Sequence, residues 1–224
     1  MGFFKKLTNL LAGGSSASSK HRILVVGLDN SGKSTIIAWL KPKKVRRARG
    51  VVRSERGQRF ACVLLTPPSL PPSRSQAVQS EVVPTVGFQV EEFSKNGLAF
   101  TAFDMSGQGR YRNLWTHYYK DVGGIIFCID STDKIRMCVA KDELETMLAH
   151  QSLPQGVPIV FFANKMDRPQ ALSAIECVQN IELDKIHDKP WHIAQSNALT
   201  GEGLEEGINW LAQQMGRRQG RGKS

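Results

Sequence analysis

The chain has no apolar run approaching the ~18 residues that a membrane-spanning helix requires, so no spanning segment is expected. Its opening, MGFFKKLTNLLAGGSSASS, is broken by Lys5, Lys6 and Asn9, which argues against the continuous apolar core of a signal peptide. The four cysteines, Cys62, Cys128, Cys138 and Cys177, form no C-x-x-C pair. Cys128 lies inside the apolar run GGIIFCID and suits a small buried thiol, so a reduced, intracellular setting is the expectation. Residues 45–77 contain no lysine and no aspartate, and Phe60 is their one aromatic side chain. A stacking platform for single-stranded nucleic acid is therefore missing from that stretch.

What is present is ordinary in bulk and unusual in distribution. The 224 residues, 41% hydrophobic and 22% charged, suit one sizeable core with appendages. The net charge of +10 is concentrated in two places. Residues 45–78 hold seven arginines against Glu55, and the segment after Met215 holds Arg217, Arg218, Arg221 and Lys223. The remaining chain is neutral, so its globular body is not intrinsically basic. The stretch VRRARGVVRSERGQRF, followed by TPPSLPPS, reads as disordered, and its composition is also that of translated non-coding sequence. Clustered arginines attract phosphate backbones; without aromatics to accompany them, anionic lipid is the better-suited partner.

At the amino terminus Phe3, Phe4, Leu7, Leu10 and Leu11 recur at helical spacing, opposite Lys5, Lys6 and Asn9, and Gly13-Gly14 ends the helix. A serine-rich linker follows to Ser19. RILVVG (22–27) is a short apolar run ending in glycine, the pattern of a buried parallel strand, and STIIAWLK from Ser34 is helical. GFQVEEF (87–93) and LAFTAFD (98–104) alternate on either side of a turn, giving a β-hairpin. GGIIFCID and PIVFFANKMD are two further buried strands, with helices expected at 136–149, 171–181 and 204–215. Alternating strands and helices imply a doubly wound α/β domain with a mostly parallel sheet, and ligands at the carboxyl ends of the strands.

Three strand ends carry chemistry. GLDNSGKS (27–34) fits G-x-x-x-x-G-K-S/T between a strand and a helix. Its glycines let successive backbone N–H groups turn toward phosphate oxygens, aided by the helix N-terminus. Lys33 would reach the β- and γ-phosphates, and the Ser34 hydroxyl would ligate Mg²⁺. FDMSGQ supplies Asp104 to hold the metal through water, Gly107 to offer its N–H to a γ-phosphate, and Gln108 to orient an attacking water. Asp104 taken alone would serve equally as a helix cap. NKMD (Asn164–Asp167) supplies a carboxylate that accepts from guanine N1 and N2, hydrogen bonds that adenine does not offer. In this order, the three stretches describe a guanine-nucleotide switch.

The phosphate loop, D-x-x-G-Q and N-K-x-D resemble the small GTPase superfamily. Gly2, the amphipathic helix after it and Asp29 in the phosphate loop resemble its Arf and Arf-like branch. FDMSGQGRYRNLWTHYY, FFANKMD, DKPWHI and GEGLEEGINWL narrow the resemblance to Arf-like GTPases that recruit the BBSome coat at cilia. The resemblance covers residues 1–44 and 79–214. It implies the P-loop small GTPase fold, and the chain then divides into an amphipathic helix and linker at 1–19, a GTPase domain at 20–214 interrupted by a disordered insert at 45–77 that the family lacks, and a basic disordered tail at 215–224. It implies nucleotide contacts from Gly27, Leu28, Asp29, Asn30, Ser31, Gly32, Lys33, Ser34, Thr35, Thr85, Gly107, Asn164, Lys165, Asp167 and Ala198, with the Ala198 N–H facing guanine O6. Mg²⁺ would be held by Ser34, Thr85 and, through water, Asp104, and Gln108 would be catalytic.

The resemblance further implies an interswitch hairpin, 88–103, whose register shift on GTP binding evicts the amino-terminal helix toward membrane. The implied partners are an exchange factor, a GTPase-activating protein and a coat-type, BBSome-like effector. The implied locations are cytoplasm, peripheral membrane and ciliary base. Ser106 stands where the family commonly has glycine, and Lys6 departs from the acylation pattern M-G-x-x-x-S/T. Membrane attachment then rests on Phe3, Phe4, Leu7 and nearby lysines. No arginine of the sequence stands out as a finger supplied in cis, so slow intrinsic hydrolysis is expected.

Lengthening the loop before Thr85 from about eight to about forty residues costs only roughly 1–2 kcal/mol in closure entropy, so a folded, nucleotide-binding domain is expected. Three readings follow. The first is a Mg²⁺-dependent GTP switch that recruits a coat-type effector. The second is a GDP-locked binding module whose switch the insert disables. The third, more remote, is nucleic-acid binding through the arginine-rich stretch.

Overall fold

A computed structural model describes residues 21–41, 85, 87–95 and 98–221. The amphipathic segment 1–19, the stretch 45–77 and the last three residues lie outside them, with the expectations attached to each.

The described elements, in chain order, are β1 (His21–Val26), α1 (Lys33–Leu40), β2 (Phe88–Lys95), β3 (Leu98–Met105), a 3-10 segment (Gly109–Asp121), β4 (Gly124–Asp130), α2 (Met137–Leu148), β5 (Ile159–Asn164), α3 (Ala174–Ile181), a short 3-10 turn (Leu183–Lys185), β6 (Trp191–Gln195) and α4 (Leu204–Arg221). The strands form one six-stranded sheet in the order β2-β3-β1-β4-β5-β6. β2 runs antiparallel to β3, and every other pairing is parallel.

The apolar runs become central strands because both faces of the sheet are covered. In β1, Leu24 and Val26 pack on one face with Ile125, Phe127 and Phe161, while Ile23 and Val25 pack on the other with Ile126, Phe162 and Ile208. Successive side chains point to opposite faces, so only a run without polar interruptions satisfies both. β1 lies between β3 and β4, whose connections leave in opposite directions. Its carboxyl end, where residues 27–34 begin, is therefore the crevice in which such sheets bind ligands.

Two local devices set boundaries. α3 starts at Ala174 because Ser173 and Glu176 form a capping box, with Ser173 Oγ accepting the Glu176 N–H at 3.3 Å and Glu176 Oε2 accepting the Ser173 N–H at 2.7 Å. The expected start at 171 is thus displaced by three residues. α4 continues past Met215 to Arg221, so residues 215–221 are helical rather than the disordered tail the sequence suggested. Gln and Arg are good helix formers, and cationic side chains suit the negative end of the helix dipole. β6 was not expected. It is a five-residue edge strand, partly exposed, and its WHIAQ sequence lacks the long apolar run of the central strands. Among the described residues, no helix is long and apolar enough to cross a membrane.

Two glycines of α4 should respond oppositely to substitution. A Cβ at Gly207 would stand 2.5 Å from Phe162 Cε1 and 3.1 Å from Val160 Cγ2, whereas one at Gly216 would meet nothing within 4 Å. In urea unfolding, Gly207→Val should cost about 1–3 kcal/mol by overpacking. Gly216→Ala should instead gain about 0.5–1 kcal/mol by removing glycine's excess chain entropy.

Candidate functional site

The loop GLDNSGKS turns sharply out of β1. Gly27 has φ 133° and Gly32 φ 95°, and Asn30 is left-handed at φ 62°. Closeness also demands the glycines, since an added Cβ would fall 2.3 Å from Cys128 O at Gly27 and 2.2 Å from Asn164 Nδ2 at Gly32. One carbonyl, Leu28 O, organises the loop. It accepts from Ser31 Oγ at 2.8 Å and from Lys33 Nζ at 2.7 Å. Lys33 is buried, and burial lowers its pKa, an effect opposed by the nearby Asp104 and Asp29. Behind the loop, burial pushes the Cys128 thiol up to about 12, so it stays protonated. Ser34 and Thr35 lie in the first turn of α1 and are half-buried.

Three oxygen-bearing side chains converge beside Lys33. Ser34 Oγ and Thr85 Oγ1 lie 3.0 Å apart although 51 residues separate them in sequence. Asp104, near the end of β3, is 2% exposed. Burial raises its carboxyl pKa, and a hydrogen bond from Ser34 partly offsets this. Its Oδ1 is buried without a hydrogen-bond partner among the described residues. An uncompensated carboxylate oxygen beside two hydroxyls is a hard-oxygen donor set, and it fits Mg²⁺.

Gly107 lies against the phosphate loop, where an added Cβ would stand 2.2 Å from Asp29 N and 2.5 Å from Leu28 O. The 3-10 segment fixes this approach, with Trp115 Nε1 donating to Ser106 O at 3.1 Å and Arg112 Nε to Gly107 O at 2.8 Å. Ser106, the departure from glycine, is buried, and its Oγ accepts the Gln108 N–H at 3.4 Å. Its hydroxyl thus holds the backbone of the residue expected to orient water.

Asn164 joins the phosphate loop to the base-facing loop. Its Nδ2 donates to Ser31 O at 2.8 Å, and its Oδ1 accepts the Ala198 N–H at 3.0 Å. The N–H expected to face guanine O6 is therefore engaged by Asn164 here. Lys165 is left-handed at φ 67°, and its Nζ pairs with Asp130 Oδ2 at 2.6 Å. Asp167 is exposed and lies 3.4 Å from Arg168 Nε. Leu28, Asp29 and Asn30 complete the loop, so the structure brings the expected phosphate, metal and base residues to one end of the sheet.

Sequence reasoning missed the residues that hold the site from behind. Asp29 Oδ1 is 3.0 Å from Arg136 Nη1 and 3.8 Å from Arg112 Nη2. Both guanidiniums have other carboxylates as well, Asp133 for Arg136 at 2.6 Å and Glu143 for Arg112 at 2.7 Å. A carboxylate inside a phosphate-binding loop signals a need for cations, but the partner of Asp29 lies 107 residues away.

The family model for the ADP-ribosylation factor family matches residues 7–54 and 74–215. ADP-ribosylation factor-like protein 6 of Danio rerio is 46% identical over 216 residues, covering 96% of this chain and 97% of that protein. The protein of the same name from Caenorhabditis elegans is 38% identical over 213 residues, covering 95% and 94%. The solved structure of the Arl6 BBS3 small GTPase from Trypanosoma brucei, with the nucleotide analogue GppNp bound, is 36% identical. It superposes with a TM-score of 0.70 over 89% of this chain and 99% of that one.

The buried charge of Asp104 yields a prediction. Asp104→Asn should raise the melting temperature in chelator at neutral pH by about 2–4 °C, the equivalent of ~1 kcal/mol in a chain of this size. With Mg²⁺ and nucleotide the variant should melt below the parent. Since burial raises the folded-state pKa, the wild-type penalty is absent below the usual carboxylate range and complete above the raised value. The gain in chelator should therefore fade as pH falls.

Proposed function

The chain belongs to the ADP-ribosylation factor family of small GTPases, and on that premise we propose that it is a Mg²⁺-dependent GTP switch whose GTP form recruits a coat-type effector to membrane. The observation that carries this reading is the 3.0 Å approach of Thr85 Oγ1 to Ser34 Oγ beside the unpartnered Asp104 Oδ1. This arrangement suits a closed switch around Mg²⁺ and a γ-phosphate. A locked GDP form would not need Thr85 against Ser34.

Ser34 and Thr85 would hold Mg²⁺ directly and Asp104 through water, and the metal, when bound, neutralises phosphate charge. Lys33, released from Leu28 O, would reach the β- and γ-phosphates. The amides of residues 28–35 would line the phosphates, and Gly107 N–H would approach the γ-phosphate. Gln108, held through Ser106, would orient the attacking water. Asn164 would support the base pocket, Lys165 would flank the base from its Asp130 anchor, and Asp167 would read guanine N1 and N2. The Ala198 N–H would share its donation between Asn164 and guanine O6. Arg112 and Arg136 are both engaged with carboxylates, which supports slow hydrolysis until a GTPase-activating protein supplies an arginine.

Recruitment of an effector is supported at the sheet edge. β2 is an edge strand with Phe88 and Val90 exposed, and Tyr118 lies 5.2 Å from the Phe88 ring and 4.8 Å from the Phe103 ring. Phe88, Val90 and Phe103 sit on the hairpin that would answer to Thr85 and Asp104, with Tyr118 packed on it from the 3-10 segment, so nucleotide state would set their presentation. A BBSome-like coat, the ciliary base and attachment through the segment 1–19 complete the reading.

The test compares hydrolysis and effector capture on the full chain. Lys33→Ala should weaken GDP by about 10- to 100-fold, the loss of one charge-assisted contact, and GTP by at least as much, since its γ-phosphate would lose a contact as well. Gln108→Leu should leave binding intact while single-turnover hydrolysis falls. Capture of a BBSome-type coat on liposomes with the GTP analogue but not GDP supports the proposal. Equal capture with both nucleotides would contradict it.

A further inference from the structure

The base-facing loop 196–203 is braced from outside by a residue that no nucleotide motif includes. Trp39 lies in the second turn of α1, six residues beyond Lys33. A Cβ added at Gly201 would fall 1.9 Å from Trp39 Nε1, 2.0 Å from Cε2 and 2.4 Å from Cζ2. The indole thus occupies the space that any side chain at 201 would need. Gly201 is left-handed at φ 89°, which fits it to lie under the ring.

Within the loop, Gly201 N–H donates to Asn197 O at 2.8 Å, Asn197 N–H to Glu202 O at 3.1 Å, and Leu204 N–H to Gly201 O at 3.2 Å. Displacing Gly201 would therefore move Asn197 and, one residue on, Ala198. Trp39 also packs against the apolar cluster that contains Ala198, Leu204, Ile36 and Ile37. On the inner side, Asn164 holds Ala198 N–H at 3.0 Å. On the outer side, the indole meets Gly201.

We propose that Trp39 is a positioning residue for guanine recognition: its indole, seated on Gly201, holds the loop that presents Ala198 to the base and couples that loop to the helix that begins at the phosphate-binding lysine. Two halves of the nucleotide site, otherwise joined through Asn164, then have a second brace. This inference rests on the guanine-nucleotide reading above.

The test uses the full chain loaded with GDP, with inosine diphosphate and with 6-thioguanosine diphosphate. Inosine lacks the amino group read by Asp167 and keeps O6, whereas the thio analogue changes only the atom that faces Ala198. Trp39→Ala should speed GDP dissociation about three- to tenfold, the range expected for loss of one aromatic packing contact. It should narrow the preference for GDP over the thio analogue and leave the preference for GDP over inosine diphosphate unchanged. Trp39→Phe, which keeps a ring on Gly201, should restore most of both effects.

Unchanged GDP dissociation in Trp39→Ala would overturn the proposal. So would equal weakening of all three nucleotides with a lowered melting temperature and no rescue by phenylalanine, because Trp39 would then be only part of the core. Failure of the wild-type chain to hold GDP would instead overturn the nucleotide-switch reading itself.

Discussion

One side-chain amide ties the site together. Asn164 donates to Ser31 O in the phosphate loop and accepts from Ala198 N–H in the base-facing loop. Both contacts are buried, where an unmade hydrogen bond costs about 1–3 kcal/mol, so this amide fixes the two loops against each other by serving both. Gly32 allows the contact, because a Cβ there would overlap Asn164 Nδ2. Asn164 can occupy that position because it ends β5, a strand buried on both faces, at the same level as Asp130 of β4. The sheet sets the height of each strand end, and the strand ends set the site.

Stability and function pull against one another at Asp104. A fold chosen for stability alone would not leave a carboxylate oxygen buried without a partner, since the charged form is penalised there. In the proposed switch, with Mg²⁺ and Thr85 in place, the same oxygen would gain a use. On that reading the fold would leave part of its own stabilisation to its ligand, a linkage in which whatever binds only the folded form stabilises it. Thr85 reaches this point from a segment that follows the arginine-rich stretch, and its hydroxyl lies 3.0 Å from Ser34.

Much of this was legible in the sequence, for identifiable reasons. The phosphate loop is contiguous, so its glycines and lysine could be read from spacing alone. The central strands could be read because burial on both faces requires an unbroken apolar run. β6 could not, because an edge strand needs fewer apolar residues, and the extension of α4 to Arg221 escaped because basic residues followed by glycines resemble a tail. The pairs Asp29–Arg136, Lys165–Asp130 and Trp39–Gly201 join residues far apart in sequence, and no periodicity signals them. The sequence suggests guanine O6 as the partner of the Ala198 N–H, whereas its engagement by Asn164 depends on strand heights that only the fold reveals.

The central claim is that Ser34, Thr85 and Asp104 close together around Mg²⁺ and the γ-phosphate. The most direct measurement is the dissociation rate of a fluorescent, non-hydrolysable GTP analogue from the full chain in Mg²⁺ and in chelator, beside the same pair of rates for GDP. The account predicts slow release of the GTP analogue in Mg²⁺ and a larger acceleration by chelator for the analogue than for GDP, because Thr85 would hold the metal only when the γ-phosphate is present. Release of the analogue at the same rate with and without Mg²⁺ would contradict it.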